Sequence, residues 1–185
     1  MNFSTLTELI SNRLIIGFST LPSFTEIVLA IILIFSYALI ALYFGFILKF
    51  FEFELQFSRK VAIKIITTSL IAPAILEELF FRVLLLPSSQ ENIGLNDLFF
   101  QSIISLFLFI IYHPLNAMIF FPAGRKTFFD PVFLSLAALL GLVCTITYLQ
   151  SGSIWLPVFI HWLMVIIWLL CLGGLKKLKF HESII

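Results

Sequence analysis

Charged residues are scarce in this sequence of 185 residues. Asp, Glu, Lys and Arg make up 11% of the chain, and apolar residues make up 61%. A soluble domain of this size carries about 25% charged residues, so the composition excludes an ordinary water-soluble domain and predicts a membrane protein. The formal net charge of +1 provides no strongly basic surface, and we expect no nucleic acid partner.

Cysteine is also rare. The two cysteines, Cys144 and Cys171, lie in apolar runs, which favours small buried or lipid-facing side chains. Two such residues exclude a disulfide framework and a zinc ribbon. The N-terminal residues lack a basic region followed by a small-residue cleavage site, so we expect no cleaved signal peptide.

Five apolar runs are long enough to cross a bilayer, which takes about 20 helical residues. They are Ile27–Leu48, Val61–Leu86, Leu98–Phe121, Pro131–Leu149 and Ile154–Gly173. The sequence therefore predicts an all-α fold, a polytopic transmembrane helix bundle of about five spans that is surrounded by membrane lipid.

The first residues have a different pattern. Leu6–Phe18 is mixed in polarity, which predicts an interfacial helix before the spans. Ser23 or Thr25 is suited to cap the first span, and Glu26 to its first turn. We divide the chain into an N-terminal interfacial segment (1–25), a transmembrane domain (26–175) and a basic C-terminal tail (176–185).

Among the segments that connect or follow the apolar runs, only alternate ones contain basic residues. They follow the first, third and fifth runs, at Lys49, Arg59, Lys60, Arg125, Lys126, Lys176, Lys177 and Lys179. The connections Pro87–Asp97 and Gln150–Ser153 contain none. Because basic loops remain in the cytoplasm, the pattern predicts a multi-pass integral membrane protein with a cytoplasmic C-terminus.

Two adjacent glutamates interrupt the second run. Glu78 and Arg82 are four residues apart, so they share a helix face and are predicted to pair. Glu77 points about 100° away from Glu78 and is left without a local counter-charge, which suits a general base. A buried ion-pair network that only locks helix packing is the alternative, although such pairs rarely improve stability.

Two histidines also lie inside apolar runs. His113 precedes Pro114, which loosens the helix beside it, and His161 lies in the fifth run. A lone intramembrane histidine is as often an interhelical hydrogen-bonding group as a catalytic one. Two histidines and an acidic cluster on three helices predict one shared polar site, provided that the helices are tilted enough to bring them to one depth.

The sequence resembles the CAAX protease and bacteriocin-processing (Abi) family of intramembrane glutamic proteases. Glu77, Glu78 and Arg82 match its Glu-Glu-x-x-x-Arg motif, and Phe109 and His113 match its Phe-x-x-x-His motif. His161 matches the histidine of its third motif. Four residues later, however, Val165 stands where the family has Asn or Asp.

The resemblance implies a role for each matched residue. Glu77 would activate a water, and Glu78 and Arg82 would orient it and balance its charge. His113 and His161 would place the water or stabilise the oxyanion. Val165 cannot donate a hydrogen bond, and loss of one oxyanion donor costs about 10²–10³ in rate. Either another group replaces the missing donor, with Asn116 as the nearest polar candidate on the His113 side, or the activity is weaker or altered.

The leading prediction is an intramembrane endopeptidase that cleaves a peptide or membrane-protein substrate without a cofactor. A zinc enzyme with Glu77, His113 and His161 as ligands is a variant, although the His-Glu-x-x-His helix is absent.

The alternative from another class is a family member with impaired catalysis that acts as a membrane-protein scaffold, and Val165 supports it. A proton relay is a third, with least support. The chain has fewer spans than the eukaryotic CAAX prenyl endopeptidases, so prenyl-protein processing is not carried over.

Overall fold

The computed structural model describes residues 2–56 and 58–178, and this part of the chain is a helical bundle. The predicted all-α fold is confirmed. The α-helices are α1 (Phe3–Ser19), α2 (Phe24–Ile47), α3 (Arg59–Ser69), α4 (Leu76–Glu78), α5 (Leu95–Ile119), α6 (Arg125–Phe128), α7 (Pro131–Ser151), α8 (Trp155–Cys171) and α9 (Gly174–Lys177). Residues 179–185, most of the predicted basic tail, lie outside the described residues.

Three helices of the described part are long and apolar enough to cross a membrane, namely α2, α5 and α7. The helix α8 is also apolar but has 17 residues. The predicted second span is divided into α3, α4 and two π-helical segments, Leu70–Ile75 and Leu79–Leu84. The five predicted spans therefore correspond to three full-length helices, one shorter helix and one interrupted helix.

The interruption of the second span begins at Pro73. Proline lacks the backbone N–H that a helix needs, and it restricts the residue before it to extended geometry. Ala72 accordingly leaves the helical region, with φ −129° and ψ 114°. The π-helical segments, Leu70–Ile75 around Pro73 and Leu79–Leu84 further along, widen the helix on both sides of α4. Glu77 and Glu78 lie on the short α-helical turn between them.

Local hydrogen bonds explain where the long helices begin. Ser23 caps α2 as one of the two predicted residues, and it forms a capping box with Glu26. Asp130 caps α7 by accepting hydrogen bonds from the backbone N–H groups of Val132 and Phe133. The helix α7 then runs through the centre of the bundle and packs against α2, α5 and α8.

An extended segment satisfies the last carbonyl groups of α8. The backbone N–H of Glu54 donates to the carbonyl oxygen of Cys171 (3.1 Å), and that of Gln56 donates to Leu170 (3.0 Å). The C-terminal carbonyls of a helix have no partners within the helix, so this segment completes α8. The segment thereby fixes the connection between α2 and α3 beside the end of α8.

The basic connections meet at this end of the bundle. Lys176 Nζ lies 3.1 Å from Glu52 Oε2, and the Lys177 carbonyl accepts a hydrogen bond from Thr127 Oγ1 (3.1 Å). The connection after α2, the connection before α7 and the start of the predicted tail are therefore neighbours. The alternation of basic loops predicts that these connections lie on one side of the membrane, and in the structure they lie together at one end of the bundle.

The opposite end is held by a clasp between α1 and the loop before α5. Arg13 donates to both carboxylate oxygens of Glu91, with Nε–Oε1 at 2.7 Å and Nη2–Oε2 at 2.6 Å. Arg13 Nη1 also donates to the carbonyl of Leu84 (2.7 Å), the last residue of the second π-helical segment. The clasp thus ties α1 to the helix that carries the glutamates. The predicted interfacial position of α1 stays a prediction.

Replacing Arg13 by Gln is expected to destabilise the protein by about 1 kcal/mol, in a pH-dependent way. Burial raises the pKa of Glu91, but hydrogen bonds from Arg13 and Ser88 outweigh it, so the pKa lies below its ordinary value. A lowered folded-state pKa stabilises the protein above the ordinary Glu value, and this contribution is lost as pH falls through the folded-state pKa. Thermal unfolding across pH should show the wild type and the variant converging in acid. A difference that stays constant with pH would contradict the clasp.

Candidate active site

The glutamate and arginine of the first motif form a buried pair, as their spacing predicts. Glu78 and Arg82 are both fully buried, and Glu78 Oε2 lies 3.1 Å from Arg82 Nε. The two atoms are close, yet their orientation does not complete a hydrogen bond, so the attraction is chiefly between charges. The guanidinium also donates through Nη2 to the Gly141 carbonyl (3.2 Å) and lies over the Phe109 ring.

A glycine on α7 makes room for this pair. A Cβ atom at Gly141 would lie 2.8 Å from Leu106 Cδ1 and 2.9 Å from Phe109 Cδ1, closer than side chains pack. The Gly141 carbonyl accepts hydrogen bonds from both Arg82 and Thr145 Oγ1 (2.8 Å). Gly141 therefore allows α5 and α7 to approach, and its carbonyl helps to fix the guanidinium.

His161 lies between the two glutamates. Its Nδ1 is 2.7 Å from Glu78 Oε1, and its Nε2 is 3.8 Å from Glu77 Oε2. Glu78 is paired with Arg82 and is therefore ionised, and an ionised carboxylate only accepts hydrogen bonds. Nδ1–H of His161 thus donates to Glu78, and Nε2 faces Glu77. The hydrogen bond with Glu78 thus orients the imidazole ring toward the second carboxylate.

Glu77 differs from its neighbour in having no arginine or lysine paired with it among the described residues. Its Oε2 atom is buried and has no hydrogen-bond partner among the described residues. The side chain lines a cavity of about 560 Å³, whereas Glu78 and Arg82 lie behind the wall. A buried carboxylate oxygen beside a polar, roomy site is a place where a water molecule binds.

The cavity lies among α2, α3, α5, α7 and α8. Most of its wall is apolar or aromatic, including Phe109, Phe133 and Trp168. Polar side chains interrupt this wall, namely Tyr37, Lys64, Thr68, Ser69, Glu77, Tyr112, His113, Asn116 and His161. An apolar chamber with a few convergent polar groups is typical of a site that binds a small or extended ligand.

His113 shares the cavity but does not contact the glutamates. Its Nδ1 lies 2.8 Å from the Phe109 carbonyl, and its ring packs against Phe109 with centroids 4.9 Å apart. Nδ1–H donates to that carbonyl, so a neutral ring has its lone pair on Nε2. The Phe109 ring also packs against His161, with centroids 5.9 Å apart. The structure therefore joins Glu77, Glu78, Arg82 and His161 directly and places His113 beside Phe109.

Val165 lines the same cavity one turn after His161. No hydrogen-bond donor stands at that position, as the sequence indicates. Asn116, the predicted substitute donor, and Tyr112 both line the cavity. Trp162 does not line it, because its Nε1 donates to the Ile66 carbonyl (2.8 Å).

Sequence reasoning missed the part of the wall that α2 and α3 supply. Tyr37 stands in an uninterrupted apolar run, where nothing marks it. Lys64 and Thr68 are four residues apart on one face of α3, and this spacing was the available signal. Their shared position on the wall depends on how α3 packs against α8, which the sequence does not encode locally.

The side chains of the site are not arranged as a metal centre. Among residues 2–56 and 58–178, no group of three His, Cys, Asp or Glu side chains is placed to hold a metal ion. The predicted zinc set of Glu77, His113 and His161 is not brought together as ligands of one ion. The residues present therefore do not fit the zinc variant.

A comparison with known families identifies one match. A family model described as type II CAAX prenyl endopeptidase Rce1-like matches residues 59–167, more than half of the chain. The matched part contains Glu77, Glu78, Arg82, His113 and His161. No curated protein and no solved structure matches the chain significantly.

Proposed function

Because the chain belongs to the Rce1-like family of type II CAAX prenyl endopeptidases, a family of intramembrane endopeptidases, we propose that it hydrolyses a peptide bond with a water molecule activated by Glu77. The family predicted from the motifs is confirmed. The observation that carries the proposal is the buried Glu77 carboxylate, which has no arginine or lysine partner among the described residues, faces a cavity and lies beside His161.

In the proposed reaction Glu77 takes one proton from the water as the oxygen attacks the substrate carbonyl carbon. The carbonyl becomes a tetrahedral oxyanion. When the carbon–nitrogen bond breaks, Glu77 returns the proton to the leaving nitrogen, which departs as an amine. One carboxylate thus acts first as general base and then as general acid.

The neighbouring residues prepare Glu77 for this task. Arg82 balances Glu78, so the site contains one uncompensated carboxylate rather than two. The Glu78 carboxylate holds the His161 ring, and in its protonated form the ring donates Nε2–H toward the oxyanion. His113, with its Nε2 available in the same cavity, accepts a hydrogen bond from the water.

The proposed substrate is a peptide or a membrane protein that reaches the cavity within the bilayer. The proposed orientation has the basic end of the bundle, with Lys49, Lys126 and Lys176, in the cytoplasm. The neighbouring positions of these connections support it. The C-terminus would then be cytoplasmic.

The zinc enzyme is the variant with less support, since the described residues do not assemble three ligands. Treatment of the purified protein with a metal chelator separates the two mechanisms. A glutamate enzyme retains its rate after chelation, whereas a zinc enzyme loses it and regains it with added Zn²⁺.

The proposed function is tested by mapping new protein termini in membranes. A deletion strain is complemented with the wild type, Glu77→Gln or His161→Ala at matched expression. Termini that appear only with the wild type support proteolysis and identify a substrate. If both variants restore the wild-type membrane proteome, the protein acts as a scaffold and the proposal is wrong.

Restoring the family residue at position 165 is expected to increase the rate. Val165→Asn places a hydrogen-bond donor on the cavity wall one turn after His161, and one oxyanion donor is worth about 10²–10³ in rate. Cleavage should therefore rise at least about 10-fold, and Val165→Leu should not produce the rise. If Asn116→Ala slows the wild type but not Val165→Asn, Asn116 is the substitute donor. An unchanged rate in Val165→Asn would show that the oxyanion lies elsewhere.

A further inference from the structure

The cavity wall contains one basic side chain within the described residues, that of Lys64. This residue lies on α3, two turns before the break at Ala72, and it is exposed. Arg13, Arg82 and Lys176 have carboxylate partners, but no carboxylate of the described residues pairs with Lys64. A lysine at an apolar cavity, with no carboxylate partner in the part of the chain that the structure describes, is free to bind an anionic group of a ligand.

Lys64 marks the mouth of the cavity. Leu42 of α2 and Leu76 of α4 both line the cavity and are exposed on the outer surface, as is Thr68 of α3. The helix α2 packs mainly against α7, and α3 packs against α8. The cavity therefore opens between α2 and the interrupted helix, and Lys64 lies on the rim of that opening.

The two charged groups of the wall have different positions. Glu77 is buried in the interior and Lys64 is exposed at the rim. They are 13 positions apart on one interrupted helix, which corresponds to no more than about 20 Å along its axis. An extended peptide covers this distance in about six residues. One peptide can therefore reach both groups through a chamber whose wall is otherwise mostly apolar.

We propose that Lys64 is a specificity-determining residue that binds a carboxylate of the substrate peptide. This inference rests on the proposed peptidase function. The carboxylate lies within about six residues of the scissile bond, on the cytoplasmic side of it, and apolar side chains occupy the chamber between them. Both the C-terminal carboxylate and an Asp or Glu side chain provide this chemistry.

Binding to the Glu77→Gln protein tests the proposal independently of hydrolysis. The probes are fluorescent apolar peptides of one length, reconstituted with the protein in neutral lipid. One peptide has a free C-terminal carboxylate and a second has a C-terminal amide. The third and fourth peptides both have a C-terminal amide; the third contains an internal Asp, and the fourth contains an Asn at the same position. The first pair of peptides tests the C-terminal source of the carboxylate, and the second pair tests the side-chain source.

We expect a carboxylate peptide to bind about 10-fold more tightly than its neutral partner. Lys64→Gln should remove this difference, and Lys64→Glu should reverse it in favour of the neutral peptide of each pair. Lys60→Gln is the matched control, because Lys60 lies one turn earlier on α3 but does not line the cavity. This control should bind like the parent protein.

Three results would overturn the proposal: equal affinity for all four peptides, no binding of any of them, or an equal loss in Lys60→Gln. A preference that disappears when anionic phosphatidylglycerol is added would assign Lys64 to a lipid headgroup, which also overturns it. If the preference depends on Lys64 but the wild type cleaves none of the peptides, the binding role stands and the proposed hydrolysis is what fails.

Discussion

Glu77→Gln is expected to reduce peptide cleavage by about 10²–10⁴-fold, the contribution of a positioned general base. Glutamine has the shape of glutamate but does not take a proton from water. The remaining residues would still orient a peptide and stabilise an oxyanion. Residual activity should therefore be low, and it should not depend on the protonation of residue 77.

The same substitution should leave the fold almost unchanged. No ion pair joins Glu77 to Arg82, and the Glu77 Oε2 atom has no hydrogen-bond partner within the described residues. A neutral amide on the cavity wall therefore breaks no ion pair with an arginine or lysine. Loss of activity with retained stability distinguishes a residue that acts on substrate from one that holds the bundle together.

Cleavage of a substrate found by termini mapping, with thermal unfolding of the same preparations, measures both quantities. Glu8→Gln is the matched control, since Glu8 is an exposed glutamate on α1. It should cleave at the wild-type rate. A Glu77→Gln protein that also cleaves at the wild-type rate would exclude Glu77 as the base and favour the scaffold.

Local features of the sequence predicted much of the site. The spacing of Glu78 and Arg82 fixed their pairing, because residues four apart share a helix face at any depth in the membrane. The position of Glu77 in an apolar run helped to predict one shared polar site, because a charge that faces lipid is too costly. Ser23 followed by Glu26 predicted a helix start from a short stretch of sequence.

Features that depend on packing between distant segments were not predictable. His161 lies 83 positions after Glu78, and no local rule states that one ring contacts both glutamates. The difference in depth expected between the two histidines does not keep them apart, because the Phe109 ring packs against both histidine rings. Nothing in the sequence distinguishes Gly141 from other glycines, and only its close approach to Phe109 in the structure explains why a side chain does not fit there.

Arg82→Met is expected to cost about 3–5 kcal/mol in the free energy of unfolding, the usual result of removing one partner of a buried ion pair. The Glu78 carboxylate would stay fully buried with its compensating cation gone. His161 would be its remaining partner. Glu78→Gln should be similarly harmful, because the fully buried guanidinium would lose its carboxylate.

The double variant Glu78→Gln/Arg82→Met should recover much of this loss. It removes both charges together, and the side-chain oxygen of the glutamine introduced at position 78 still accepts the hydrogen bond from His161 Nδ1. Unfolding of the four proteins in one detergent gives the coupling between the two sites, which we expect to be at least about 2 kcal/mol. Lys176→Met with Glu52→Gln is the matched control, because that exposed pair should show little coupling. Additive losses at positions 78 and 82 would contradict a buried ion pair.

The activity of the double variant then shows what the pair does for catalysis. If the double variant is stable and also cleaves, the pair serves mainly to keep the site neutral around Glu77. If it is stable and inactive, the charges themselves act on the water.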